Sequence, residues 1–261
     1  MPPIRLNRFL AQAGLGSRRA VETLILQGLI AVNGQITRSL ATQIHPTDTV
    51  TYRGRPLTPA RPIYAILHKP KGYTCTASPQ HAEKTIYQLL PRHWPRTFYV
   101  GRLDKQSEGL LLITNDGAWA HTLTHPRYKI PKIYHVTLDR PYDPTHTKKL
   151  THGFPIPGGY AQCQHVQPLS PRTLRITLTQ GLNRQIRHML YRLGYEVERL
   201  IRVQFGPITL KGLPKGHYRL LTPKEIHALS KAPEKKPTKK LDATPPPNNI
   251  PSPHPKTTPN N

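Results

Sequence analysis

Cysteine is nearly absent from this 261-residue chain, which has only Cys75 and Cys163. Two thiols so far apart make neither a disulfide framework nor a thiolate metal site, and both are expected to be reduced and structural. Acid is scarce as well. Thirteen Asp and Glu stand against 38 Lys and Arg, a formal charge of +25, and such a chain repels itself unless a polyanion is its usual partner. The segment from Lys231 onward holds six lysines and two acids, which leaves 32 cations and 11 acids, a net +21, on the body before it. The charge belongs to the folded part and points to nucleic acid, with a solvated basic surface as the bland alternative. No apolar run approaches the roughly 18 residues of a membrane span, and Arg5 and Arg8 interrupt the N-terminal apolar stretch where a signal peptide would continue. A cytoplasmic protein is expected. Also missing are a Gly-rich dinucleotide loop and a P-loop. His121 and His125 stand four apart without a third ligand nearby, so neither metal nor cofactor is expected.

The 36% hydrophobic content supports a core for one large domain and a small one. In the first part, Leu6, Phe9, Leu10 and Ala13 recur at helical spacing, Gly14 and Gly16 break the run, and Ser17 is placed to cap a second helix carrying Val21, Leu24 and Ile25. Gly28 closes that helix. A strand from Leu29 to Val32, the hairpin signal Asn33-Gly34 and a strand around Thr49 to Tyr52 follow. Arg5, Arg8, Arg18 and Arg19 sit on the polar sides of the helices, where guanidinium forks and helix N-termini together suit phosphate. The Pro- and Arg-rich run Arg53 to Pro62 reads as a hinge. The divisions expected are a small domain over 1–58, a linker over 59–62, a second domain over 63–230, and a Pro/Lys-rich tail over 231–261. That tail has nine prolines and almost nothing apolar, so it cannot offset its ordering entropy and should be disordered.

From Ile63 the pattern is α+β. A strand from Ile63 to Leu67 leads into KPKGY, whose Lys69, Lys71 and Gly72 could meet a phosphate backbone. A helix near Thr85 to Leu90 and a strand from Phe98 to Val100 come next, then GRLDKQSEGLLLITNDG. That stretch sets a lone acid, Asp104, on a loop before the apolar strand Leu110 to Ile113, with Arg102 two residues away. A carboxylate on a loop held by strands is fixed yet reachable, although an Asp in a turn is often only a turn-former. Further strands are read at Ile133 to Leu138, Ala161 to Val166, Leu174 to Leu178 and His217 to Leu221, with a helix after Pro144 and a last helix from Thr222. Irregular alternation without a βαβ period argues for a mixed, mostly antiparallel sheet flanked by helices. On the helix Asn183 to Leu193, Ile186, Met189, Leu190 and Leu193 share one side, while Arg184, Arg187, His188 and Arg192 share the other.

Several of these pieces are similar to one family. GRLDKQSEGLLLITNDG, KIYHV, GLNRQIRHML and RLIRVQFGPITL occur in the order found in ribosomal RNA pseudouridine synthases of the RsuA/RluB/RluE/RluF type. LNRFLAQAGLGSRR with AVNGQ resembles the S4 RNA-binding domain, and the likeness spans about residues 4 to 222. Ser107-Glu108 departs from the Thr-containing pair common in the family. The resemblance implies an S4-type α/β domain followed by a catalytic domain with a central mixed sheet. It further implies that Asp104 is the catalytic carboxylate, that Arg187 pairs with it and keeps it ionised, and that Tyr134 stacks on the flipped uracil. Tyr134 could equally fill sheet core. Arg102, Lys132, Arg184 and Lys69 are candidate RNA contacts beside Arg5, Arg8, Arg18 and Arg19. The expected partner is ribosomal RNA or an assembling subunit, slightly favouring the large one, and the protein is expected to be a monomer. A non-catalytic RNA-binding or ribosome-assembly protein is the rival reading.

Overall fold

The computed structural model describes residues 3–76 and 84–231. The tail beyond Lys231, expected to be disordered, lies outside the described residues. The chain opens with β1 (Ile4–Arg5), α1 (Leu6–Gln12), α2 (Arg18–Leu26), β2 (Ile30–Val32), β3 (Gln35–Ile36), β4 (Gln43–Ile44), β5 (Val50–Tyr52) and β6 (Arg55–Pro56). Leu6, Phe9 and Leu10 of α1 and Val21 and Ile25 of α2 close on Ile30, Ile44 and Val50 to make a separate small core. Ser17 Oγ accepts from Ala20 N at 3.1 Å, capping α2 as its position demands. Asn33 and Gly34 take φ of +51° and +82°, the left-handed pair that a two-residue hairpin requires between β2 and β3. The start of the run read as a hinge is folded instead. Arg53 and Gly54 form a second tight turn, and β6 folds back on β5.

The second part continues with β7 (Tyr64–Lys69), a 3-10 turn (Ile86–Leu89), β8 (Phe98–Val100), β9 (Glu108–Thr114), α3 (Gly117–Thr124), β10 (Lys132–Leu138) and α4 (His146–His152). It closes with β11 (Phe154–Ile156), β12 (Gly159–Ala161), β13 (His165–Ser170), β14 (Thr173–Leu178), α5 (Gln185–Tyr191), β15 (Val197–Phe205), β16 (Ile208–Thr209), β17 (Tyr218–Leu220) and α6 (Pro223–Ser230). The central sheet runs β13-β14-β10-β15-β9-β7-β17, with β8 and β16 paired to β9 and β15. It is antiparallel except where β9 meets β15. The mixed, mostly antiparallel sheet with flanking helices is therefore as the sequence implies.

All seven residues of β9 are buried because both faces of the sheet are covered. Leu111 and Ile113 join a cluster with Ile186, Met189 and Leu190 of α5 and Leu150 of α4. Leu110 and Leu112 join another with Trp119 and Leu123 of α3 and Leu229 of α6. Two helical expectations shrink. The segment Thr85 to Leu90 makes only the 3-10 turn, and α5 starts at Gln185 because Arg184 adopts φ +47°. The β9–β15 approach is close enough to need glycine. At Gly109, φ is +110° and an added Cβ would press on the Arg202 peptide, lying 2.7 Å from its nitrogen.

Candidate active site

The loop 101–107 carries Asp104 from β8 to β9, and its backbone is pinned residue by residue. Asp104 O accepts from Ser107 N at 2.9 Å, closing the turn, and from Lys69 Nζ at 3.1 Å. Lys105 O accepts from Gly72 N at 2.7 Å, and Gln106 O from Arg187 Nη2 at 3.2 Å. Ser107 O accepts from Lys69 Nζ at 2.8 Å. Four successive peptide oxygens are thus held, which fixes the backbone that carries the Asp104 side chain. Its carboxylate has no hydrogen-bond or ion-pair partner among the described residues.

This arrangement corrects two expectations. Lys69 does not meet a phosphate, because it is the inward-pointing last residue of β7 and is 0% exposed. Its ammonium spends its donors on Pro70 O at 3.0 Å and on the loop. Burial pushes its pKa down to about 8, an effect that Cys75, Asp104 and Glu108 partly oppose. Arg187 makes no ion pair with Asp104. Its guanidinium is half-buried and bonds two peptide oxygens, Val197 O at 2.7 Å and Gln106 O. Burial and the neighbouring Arg184 lower its pKa, while the charge of Asp104 raises it, so the two groups still feel each other.

Asp104 faces a cavity of about 1060 Å³, and Arg102, Lys132, Tyr134 and Arg184 line it too. Arg102 and Arg184 are exposed on its rim. Tyr134 is 9% exposed and packs into the core on one side while lining the cavity on the other, so both readings of it hold in part. Lys132 Nζ donates to Ile130 O at 3.3 Å and lies 5.6 Å from the Phe205 ring centroid. Burial, then the nearby Arg202, bring its pKa down to about 8. Lys129 and Arg202 also line the cavity, and Asp104 is the sole acid among the lining residues. The sequence pattern does not single out either cation. Arg202 lies within β15, in the RLIR run, and Lys129 follows a 3-10 turn. The wall 179–185 is set by Gln185, 3% exposed, whose Nε2 donates to Gln162 O at 3.1 Å and Gln180 Oε1 at 2.9 Å.

Arg5, Arg8, Arg18 and Arg19 gather elsewhere, at α1 and at the N-terminal turn of α2. Arg5, Arg18 and Arg19 are exposed and Arg8 is half-buried, and none of the four enters an ion pair among the described residues. His125 follows α3 as its C-cap rather than standing on the helix with His121, and its Nδ1 accepts from Arg127 N at 3.2 Å.

Residues 63–191 match the RNA pseudouridylate synthase family, and residues 4–50 match the S4 domain. The class is thus an RNA-modifying isomerase with an S4 module. An uncharacterized RNA pseudouridine synthase of Aquifex aeolicus (strain VF5) is 38% identical over 238 residues, 89% of this chain and 96% of that protein. Ribosomal large subunit pseudouridine synthase B of Bacillus subtilis (strain 168) is 32% identical, over 86% of this chain and 95% of its own. The dual-specificity RNA pseudouridine synthase RluF of Escherichia coli (strain K12) is 34% identical, over 87% and 79%. A solved pseudouridylate synthase superposes with a TM-score of 0.63 at 30% identity, covering 87% of this chain and 99% of that one. The chain belongs to the RsuA/RluB/RluF family of RNA pseudouridine synthases with an N-terminal S4 domain.

Proposed function

We propose that this enzyme converts one specific uridine of ribosomal RNA, in the large subunit, to pseudouridine, with Asp104 as the reacting carboxylate. The observation that carries the reading is the unpaired Asp104 carboxylate at the wall of a cavity whose other charged lining residues are cations. The large-subunit preference is supported by the name of the Bacillus subtilis relative. Residues 1–58 dock on RNA through Arg5, Arg8, Arg18 and Arg19, and residues 63–230 act on the base as a monomer in the cytoplasm.

The conversion breaks the N1–C1′ bond, turns the uracil and joins C5 to C1′, while the C5 proton is replaced by one on N1. Atoms and electrons balance within the nucleotide, so no cofactor enters. A base must leave its stack to fit the cavity, and an aromatic face normally receives it. Tyr134 supplies that face, Arg102, Lys132 and Arg184 hold the adjoining backbone, and Arg187 acts as a positioning residue through Gln106 O.

The test uses ribosomal RNA from cells lacking the gene, in which carbodiimide-reactive positions are mapped by primer extension. Full-length wild type should restore one such position in vitro, and Asp104→Asn should bind the RNA with similar affinity and restore none. Product formation by the variant rejects Asp104 as the reacting group.

A further inference from the structure

Arg202 is the largest fully buried side chain among the described residues, 2% exposed, and it contributes to the cavity wall. Its Nε donates to Leu110 O at 2.6 Å, but the buried Nη2 has no acceptor among the described residues. A buried donor without a partner costs about 1–3 kcal/mol, and more when the group is charged. The Arg202 Cζ lies 5.6 Å from the Phe205 ring centroid, a contact that offsets only part of that cost. Arg202 enters no ion pair among the described residues, and its neighbour Lys132 repels it. The register also matters. Arg202 pairs directly with Tyr134 across β10 and β15, which places both side chains on one face of the sheet, and Lys132 pairs with Phe205 next along. All four line the cavity. Arg202 therefore stands opposite Tyr134 at the cavity, more deeply buried than the exposed rim arginines.

We infer that Arg202 donates through its guanidinium to a carbonyl oxygen of the target uracil and holds the negative charge that develops there during the reaction. The inference rests on the proposed conversion and adds to it the group that supports the base. Two routes place charge on the same oxygens. If N1–C1′ breaks heterolytically, the bond pair stays on the ring and spreads over O2 and O4. If a nucleophile adds at C6, the C5=C6 pair moves through C4 onto O4. In the first route the ring's pair forms the C5–C1′ bond, loss of the C5 proton restores the ring and N1 takes up a proton. In the second, C5 bonds to C1′ as N1–C1′ breaks, N1 keeps that pair and takes up a proton, and loss of the C5 proton expels the nucleophile from C6 and restores C5=C6. A preorganised donor in a site closed to water acts most strongly on such charge, and loss of one such donor typically lowers rate by about 10²–10³-fold.

The experiment measures single-turnover rates and RNA affinity for full-length wild type, Arg202→Lys and Arg202→Met. The substrate is a ribosomal RNA fragment carrying the mapped uridine, with oxygen, 2-thio or 4-thio substitution at that base. Arg202→Met should lose about 10²-fold in rate with affinity within about twofold, and Arg202→Lys should recover part of the loss. Sulfur accepts hydrogen bonds poorly, so one of the two thio substrates should slow wild type but leave Arg202→Met no slower than it is on uridine. This non-additivity separates a bond to the base from a packing defect. Thio effects equal in wild type and Arg202→Met overturn the inference, as does a loss confined to RNA affinity, which would place the guanidinium on phosphate. Wild type that forms no pseudouridine on the unmodified fragment refutes the proposed conversion instead.

Discussion

Lys69→Met removes the ammonium under the Asp104 loop while keeping most of its volume, and its effect can be worked from opposing contributions. Three charge-assisted bonds disappear, to Pro70 O, Asp104 O and Ser107 O at 3.0, 3.1 and 2.8 Å. At about 1.5–3 kcal/mol each, they amount to about 5–9 kcal/mol. Against this, burial disfavours the charged form, moving the pKa from 10.5 to about 8, which is worth about 3 kcal/mol that the methionine recovers. The net is a destabilisation of about 2–6 kcal/mol, or about 4–24 °C in Tm for a domain of this size. Differential scanning calorimetry at pH 7 checks it. Assayed well below that Tm, the variant should still lose about 10²-fold in rate, because Asp104 loses the anchors on both sides of its turn. The pH dependence has a definite sign. Lys69 has its folded pKa below its unfolded one, so between about pH 8 and 10.5 the unfolded chain binds a proton there that the folded one has released. Wild-type stability therefore gains a contribution that rises with pH across that window, and the variant lacks it. A variant that melts within about 1 °C of wild type and turns over at its rate would refute the cradle.

Gly109→Ala forces a Cβ against the Arg202 peptide at φ +110°, and should cost at least about 3 kcal/mol, the upper end of ordinary substitutions, read by urea denaturation. Replacing both Arg18 and Arg19 by Ala should weaken RNA binding without changing the modified position, and should reduce the slope of log affinity against log salt by about 1 for each phosphate no longer neutralised. An unchanged slope counts against docking through α2. Lys132, held at about 8 by burial and Arg202, should take up a proton when phosphate enters the cavity, so affinity falls as pH rises from about 7 to 9. Calorimetry in buffers of different ionisation enthalpy measures that uptake, and Lys132→Met should abolish it.

Much of this architecture can be read from residue pattern, and the misses share a cause. Ser17, Asn33-Gly34 and the apolar side of α5 act locally, so propensity and period find them. Asp104 and Tyr134 reach the same cavity because motif order carries three-dimensional proximity within a family. Lys69 and Arg187 mislead because a cation's partners depend on what the sheet brings opposite it. Lys69 reads as a phosphate contact by its KPKG neighbourhood, yet β7 continues two residues past Leu67 and carries it inside. Arg202 is silent in the sequence because its significance lies in a missing acceptor, which no local pattern displays.

Asp104 and Glu108 show how the surplus of cations is put to use. Glu108, four residues after Asp104, is 4% exposed and is held by Arg199 at 3.0 Å and Lys215 at 2.7 Å. Burial opposes its ionisation, but the two cations outweigh that and keep its carboxyl below the ordinary range. It ties β9, β15 and the turn before β17 together. Asp104 is treated in the opposite way. The groups that could neutralise it, Lys69 and Arg187, are aimed at peptide oxygens. Their positive field reaches the carboxylate while their hydrogen bonds do not, so its lone pairs stay available to a nucleotide. On the proposed role of Asp104, a direct ion pair would have to be broken before reaction; clamping the backbone positions the acid without that barrier.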